Sequence, residues 1–129
     1  MKKLQDKAAI ITGSRRGIGR GIALAFAKEG CKVVVSDYVE DKDGKNTVNE
    51  IKKLGSDAIF VKADVSKEKD VKNLVDKAVK KFGKLNIMVN NAGIVSFGTA
   101  DTLTEKDWDK GINVNLKGGF FGTKYAAKQ

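Results

Sequence analysis

Three glycines, Gly13, Gly17 and Gly19, stand at spacings of four and two directly after the apolar run Ala8-Ala9-Ile10-Ile11-Thr12 and at the head of a stretch with helical spacing. Few arrangements constrain a fold more tightly. A continuous apolar run of strand length, with no polar alternation, belongs to a strand covered on both faces, as in parallel sheets. Gly13 permits the tight turn out of that strand, Gly17 lets a backbone approach a pyrophosphate, and Gly19 lets the next helix pack closely on the sheet. The helix N-terminus then offers free N–H groups to an anion. The turn as a whole, with Gly13, Ser14, Arg16, Gly17, Ile18 and Gly19, is the first candidate for contact with a dinucleotide.

The same alternation continues along the chain. From Gly17 to Glu29 the apolar residues Ile18, Ile22, Ala25 and Phe26 have helical spacing, with Gly30 as the stop. Lys32-Val33-Val34-Val35-Ser36 predicts a second strand, and Val48, Ile51 and Leu54 before Gly55 mark a second helix. Ala58-Ile59-Phe60-Val61 predicts the third strand. Ser66 reads as an N-cap for a third helix whose apolar face runs from Val71 through Leu74, Val75, Ala78 and Val79 to Phe82, closed by Gly83. Leu85 to Val89 predicts a fourth strand, and a helix starting near Thr104 or Glu105 carries Trp108, Ile112, Leu116 and Phe120. Four β-α units with right-handed crossovers give an α/β, Rossmann-like doubly wound parallel sheet, for which the nucleotide-binding strand order would be 3-2-1-4. Ligands of such sheets bind beyond the carboxyl ends of the strands, which directs attention to Thr12–Gly19, Asp37, Asp64 and Asn90–Gly93.

Composition bounds the alternatives. The chain has 129 residues, 41% hydrophobic and 32% charged, a globular balance for one domain. No apolar run approaches a bilayer-spanning length, so no membrane partner is expected. One cysteine, Cys31, and no histidine leave no metal ligand set and no internal disulfide, which fits a cytoplasmic setting. The net charge of +9 raises the question of nucleic acid, but the positive charge is carried by twenty-two lysines and only three arginines. The lysines are scattered, usually beside Asp or Glu, and read as a solvated surface rather than a nucleic-acid footprint.

Asp37 ends the second strand eighteen residues after Gly19, where a dinucleotide fold places an acceptor for the adenosine ribose hydroxyls. A carboxylate there repels the 2′-phosphate of NADP, so NAD is the expected cofactor and NADP the less favoured one. Arg16 pulls the other way, as a guanidinium beside the pyrophosphate turn.

On Thr12-Gly13-Ser14-Arg15-Arg16-Gly17-Ile18-Gly19, Asp64-Val65, Asn90-Asn91-Ala92-Gly93 and Asn113-Val114-Asn115-Leu116 with Gly118, in that order, the chain resembles the short-chain dehydrogenase/reductases. The resemblance implies that Asp64 accepts from the adenine amino group and the Val65 backbone meets the ring; an Asp beside Ser66 is equally a helix cap. It implies that Asn91, Ala92 and Gly93 brace the central strands and lie along the cofactor ribose, where the motif alone reads as a turn. It implies that Asn115 serves catalysis through a backbone carbonyl that holds a relay water, where the residue alone reads as helix surface.

The family's Ser, Tyr and Lys of the reacting site fall beyond Gln129. The chain therefore reads as the NAD-binding portion of an oxidoreductase for small alcohols or ketones, C-terminally truncated relative to the family and inactive alone. The alternative is a non-catalytic dinucleotide-binding or self-associating module. Tyr38-Val39-Glu40-Asp41-Lys42 has the Tyr-x-x-x-Lys spacing but sits at the adenosine end, and Tyr125 has Gln129 four residues on. A bare fourth-strand edge and an apolar surface around Trp108, Ile112, Leu116, Phe120 and Phe121, with Gly118-Gly119 allowing close helix approach, predict a homo-oligomer.

Overall fold

Residues 1–129 are described by a computed structural model in which four parallel strands form one sheet in the order β3-β2-β1-β4. The strands are β1 (Ala8–Thr12), β2 (Lys32–Asp37), β3 (Ala58–Lys62) and β4 (Ile87–Val89). The helices are α1 (Gly17–Lys28), α2 (Lys42–Lys53), α3 (Glu68–Phe82), α4 (Glu105–Ile112) and α5 (Gly118–Ala126). The expected strand order holds. β1 pairs in register with β2 from Ala8 opposite Lys32 to Thr12 opposite Ser36, and with β4 from Ala9 opposite Ile87 to Ile11 opposite Val89.

Because successive strand side chains point to opposite faces, each apolar run feeds two cores. Ala9, Ile11, Val33 and Val35 face α1 and α2, meeting Ala23, Ala27, Val48 and Ile51. Ile10, Val34 and Val61 face the other way, onto Leu74, Val75 and Ala78 of α3. This explains why the strand sequences show no alternation. Gly83, at φ +77°, ends α3 in the left-handed conformation open to glycine.

Cys31 is buried in the first core and its Sγ faces the carbonyl of Lys32 at 3.4 Å. Burial pushes its thiol up to about 11. Thiolate is the reactive form, so iodoacetamide at pH 8 should label native Cys31 roughly a hundredfold more slowly than the urea-unfolded chain. Equal rates in the two conditions would contradict the packing of this thiol.

Four expectations change on folding. Ser66 is not the cap of α3: it donates its N–H and hydroxyl to Asp64 Oδ1, and Lys67 takes the cap position without a side-chain bond. Leu85 and Asn86 precede β4 instead of belonging to it; the Asn86 amide oxygen accepts from Ala8 N–H, which ends the pairing row early. The last helix is not continuous, since a π-helical turn at Asn113–Lys117 separates α4 from α5, with Gly118 N–H reaching back to Asn113 O. Phe121 is buried with Val65 and Val71, and Gly118 faces inward, where a Cβ would stand 2.7 Å from Val65 Cγ2. The π turn adds a residue to one helical turn and so rotates α5, presenting Phe121 to the core and leaving Phe120 outside.

Candidate functional site

The carboxyl ends of β1, β2 and β3, the loop after β4 and the helices α1 and α4 enclose a cleft of about 1360 Å³. Its floor is built by hydrogen bonds radiating from Thr12. The Thr12 hydroxyl accepts the N–H groups of Asn91 and Ala92, each at 3.0 Å, and donates to Val89 O at 3.3 Å. The Asn91 side chain returns the bond, donating from Nδ2 to Thr12 O at 2.9 Å and Gly13 O at 3.2 Å. One threonine and one asparagine thus lock the segment after β4 to the β1–α1 turn.

Within that turn the residues divide by direction. Ser14 is fully buried; its hydroxyl donates to Ile11 O at 2.6 Å and accepts Ser36 N–H at 3.1 Å, so it ties β1 to β2. Gly13 lies against Ala92, and a Cβ at Gly19 would meet Asn91 Nδ2 at 2.6 Å and Ser14 Cα at 2.8 Å. Gly17 is the opposite case. It has φ +63°, it is exposed, and the space where a side chain would project is empty. The first-turn amides of α1, from Gly17 to Gly19, have no intrahelical acceptor and lie at this open end, a cradle of donors without a side chain in front of it. Ile18, 80% exposed, borders it.

Asp37 is held where β2 ends, but it is not the open carboxylate that its position suggests. Asp37 is 8% exposed and Arg15 7%. The Asp37 carboxylate accepts Tyr38 N–H at 2.9 Å and Arg15 N–H at 3.4 Å, and Arg15 Nε lies 3.4 Å from Oδ1. Arg15 Nη1 donates to Asp41 Oδ2 at 2.8 Å, with Asp43 Oδ2 at 3.6 Å. Arg16, the arginine to which the sequence points, stands exposed at the cleft mouth, whereas Arg15 is the one that meets Asp37. A signal existed in Asp41 and Asp43, but their meeting with Arg15 depends on how α2 docks.

Asp64, half-buried beyond β3, spends Oδ1 on Ser66, and its N–H is received by Asp70 Oδ2 at 2.9 Å. Its other oxygen faces Lys67 at 4.0 Å on the cleft wall. Val65 and Gly93 border the same cleft, and Asn115 reaches Gly93 and Ile94: its Oδ1 accepts Ile94 N–H at 2.7 Å and its Nδ2 donates to Ile94 O at 2.8 Å. The Asn115 side chain therefore anchors the loop after β4, and the π turn carries its backbone. Tyr38, 61% exposed, lies on the rim by Asp37, and Tyr125 donates to Glu68 Oε1 at 2.8 Å as a brace between α5 and α3. No cluster of side chains suited to a metal ion occurs.

A parallel sheet with this turn and cleft defines a dinucleotide-binding class of protein. The sequence matches the family model described as short chain dehydrogenase over residues 7–129, and the chain belongs to that family, whose members bind nicotinamide dinucleotides. It is 46% identical over 125 residues to an "Uncharacterized oxidoreductase" of Thermotoga maritima, covering 97% of this chain and 49% of the relative. It is 41% identical to the trihydroxynaphthalene reductase PfmaI of Pestalotiopsis fici, covering 97% and 44%. Among solved structures, a short chain dehydrogenase from Burkholderia cenocepacia in complex with NADP superposes with TM-score 0.95 at 38% identity, over 98% of this chain and 52% of that one. A doubly substituted short-chain dehydrogenase/reductase from Serratia marcescens gives TM-score 0.94 at 31% identity, over 97% and 51%. The chain thus spans about half the length of the relatives it matches. No helix is long and apolar enough to cross a membrane.

Proposed function

We propose that residues 1–129 form a Rossmann-type dinucleotide-binding domain that holds the cofactor of an NAD-dependent oxidoreductase. A bound nicotinamide dinucleotide supplies hydride exchange with the hydroxyl or carbonyl carbon of a small alcohol or ketone. The observation that carries this reading is the cradle at Gly17: free helix amides, a left-handed glycine and empty space at the carboxyl end of β1.

In this reading the amides of Gly17 to Gly19 receive pyrophosphate charge, and Gly13 and Gly19 bring helix and strand close enough for them to do so. Asp37 accepts from a ribose hydroxyl, and the second oxygen of Asp64 accepts from the adenine amino group beside Val65. Ala92 and Gly93 offer backbone to the nicotinamide-side ribose, and Asn115, the chain's catalytic candidate, holds that loop through Ile94 while its carbonyl serves the relay. On this reading NAD is preferred to NADP, because the Asp37 carboxylate would oppose a 2′-phosphate. A cytoplasmic setting fits the single, unpaired Cys31.

Fluorescence titration with NADH and NADPH tests the assignment. Saturable binding is expected, tighter for NADH, and Gly17→Asp should abolish it while far-ultraviolet circular dichroism stays native, since that side chain projects into the cradle and not into the fold. Absence of saturable binding of both dinucleotides at millimolar concentration would overturn the assignment.

A homo-oligomer is the second part of the proposal. Trp108, Leu116 and Phe120 are 58%, 66% and 58% exposed along α4, the π turn and α5. Burying about 400 Å² of such a face is worth roughly 10 kcal/mol gross, comparable with the cost of association. Sedimentation should show a concentration-dependent dimer that Phe120→Lys shifts toward monomer. A monomer at every concentration would refute it.

A further inference from the structure

The Arg15 guanidinium is buried between carboxylates from two elements, Asp37 at the end of β2 and Asp41 and Asp43 at the start of α2. A charge taken out of water this fully needs counter-charge, and these three acids provide it. The pairing is unequal. Nη1 bonds Asp41 at 2.8 Å, whereas Nε stands 3.4 Å from Asp37 Oδ1 and makes no hydrogen bond. Arg15 therefore opposes the charge of Asp37 without saturating its lone pairs, so Asp37 can still accept from a ribose hydroxyl. Thr47, whose hydroxyl donates to Arg15 O at 2.8 Å, keeps the residue from swinging out with the turn.

Opposition of this kind changes what an approaching ligand meets. A bare carboxylate repels a 2′-phosphate as a single charge; a carboxylate with a guanidinium 3.4 Å away acts as a pair whose field falls off faster with distance. Resting on the reading of the cleft as a dinucleotide site, we propose that Arg15 is a specificity-determining positioning residue: Asp37 sets the direction of the cofactor preference, and Arg15, as its counter-ion, limits the size. The chain then tolerates the phosphorylated dinucleotide better than Asp37 alone would allow. Exposed Arg16 is not needed for this effect, because the neutralisation takes place at the carboxylate itself.

The test is the ratio of the dissociation constants of NADPH and NADH, which a general loosening of α2 leaves unchanged because it weakens both. Arg15→Gln should raise the ratio roughly tenfold, and Arg15→Lys, which keeps the charge, should stay within about threefold of the unsubstituted chain. In the Asp37→Asn background the effect of Arg15→Gln should shrink to less than about threefold, because there is no carboxylate left to oppose. Asp41→Asn frees Nη1 to turn toward Asp37 and should lower the ratio, a readout that survives if Arg15→Gln fails to fold. If the unsubstituted chain binds neither dinucleotide, the reading of the cleft fails and this proposal with it. If it binds both, and the ratio is unmoved by Arg15→Gln and Asp41→Asn, or moves by the same factor with and without Asp37→Asn, the role of Arg15 alone is overturned.

Discussion

Gly19→Val is expected to lower the thermal midpoint by about 10 °C and to remove dinucleotide binding altogether, the largest joint loss of any single substitution in the cradle. The cause is local. Even a single Cβ at Gly19 would overlap Gly13 O and stand 2.6 Å from Asn91 Nδ2 and 2.8 Å from Ser14 Cα, two of them backbone atoms with no freedom to retreat. Overpacking of that kind costs about 1–3 kcal/mol, and the branched side chain puts it at the upper end. The turn must move away from the helix to relieve it, which breaks the Asn91 bonds to Thr12 O and Gly13 O and carries the first-turn amides out of place. Gly21→Ala is the control, since nothing lies within 4 Å of that position and a helix interior favours alanine by about 0.5–1 kcal/mol. If scanning calorimetry gives equal midpoints for the Gly19→Val and Gly21→Ala chains, the close packing of α1 on the turn is wrong.

Ile10→Ala should destabilise the fold by about 4 kcal/mol, read as a shift of the urea midpoint with an unchanged slope. Ile10 is fully buried in β1, one of the two strands that pair on both sides, and it packs in the core that includes Val34, Leu74 and Val75. Removing three carbons there leaves a cavity that a sheet pinned by pairing on both edges of β1 cannot close. Ile10→Val removes one carbon and should cost about 1 kcal/mol. A smaller effect for Ile10→Ala than for Ile10→Val would mean that Ile10 does not pack in the core against α3.

How much of this is readable before folding depends on the range of the interaction involved. Ala8 to Thr12, Lys32 to Ser36 and the apolar face of α3 declare themselves because strand and helix periods are local, and the glycine-rich turn after the first strand then favours the nucleotide-binding order over the other right-handed arrangements. Gly13, Gly17 and Gly19 declare the turn because backbone conformation and close approach restrict those positions to glycine, whatever the rest of the chain does. The cap of α3 is not legible in the sequence because Ser66 and Asp64 are both competent hydrogen-bonding residues, and only the path of the chain after β3 decides that Asp64 takes both donors of Ser66.

The α/β class and the glycine-rich turn are thus legible in the sequence, since each follows from residues adjacent along the chain or from their period, and the sheet order follows from the nucleotide-binding pattern they form together. Tertiary structure alone decided that Arg15 and not Arg16 sits against Asp37, that Asn91 spends its amide on the floor of the cleft, and that Phe121 is core while Phe120 is surface. Arg15 and Arg16 are chemically identical, and so are Phe120 and Phe121. What separates each pair is direction, set for the arginines by the twist of the β1–α1 turn toward α2 and for the phenylalanines by one π turn in the helix between them and α4. A side chain's direction is the sum of every backbone rotation before it, and long-range packing, not local propensity, selects those rotations.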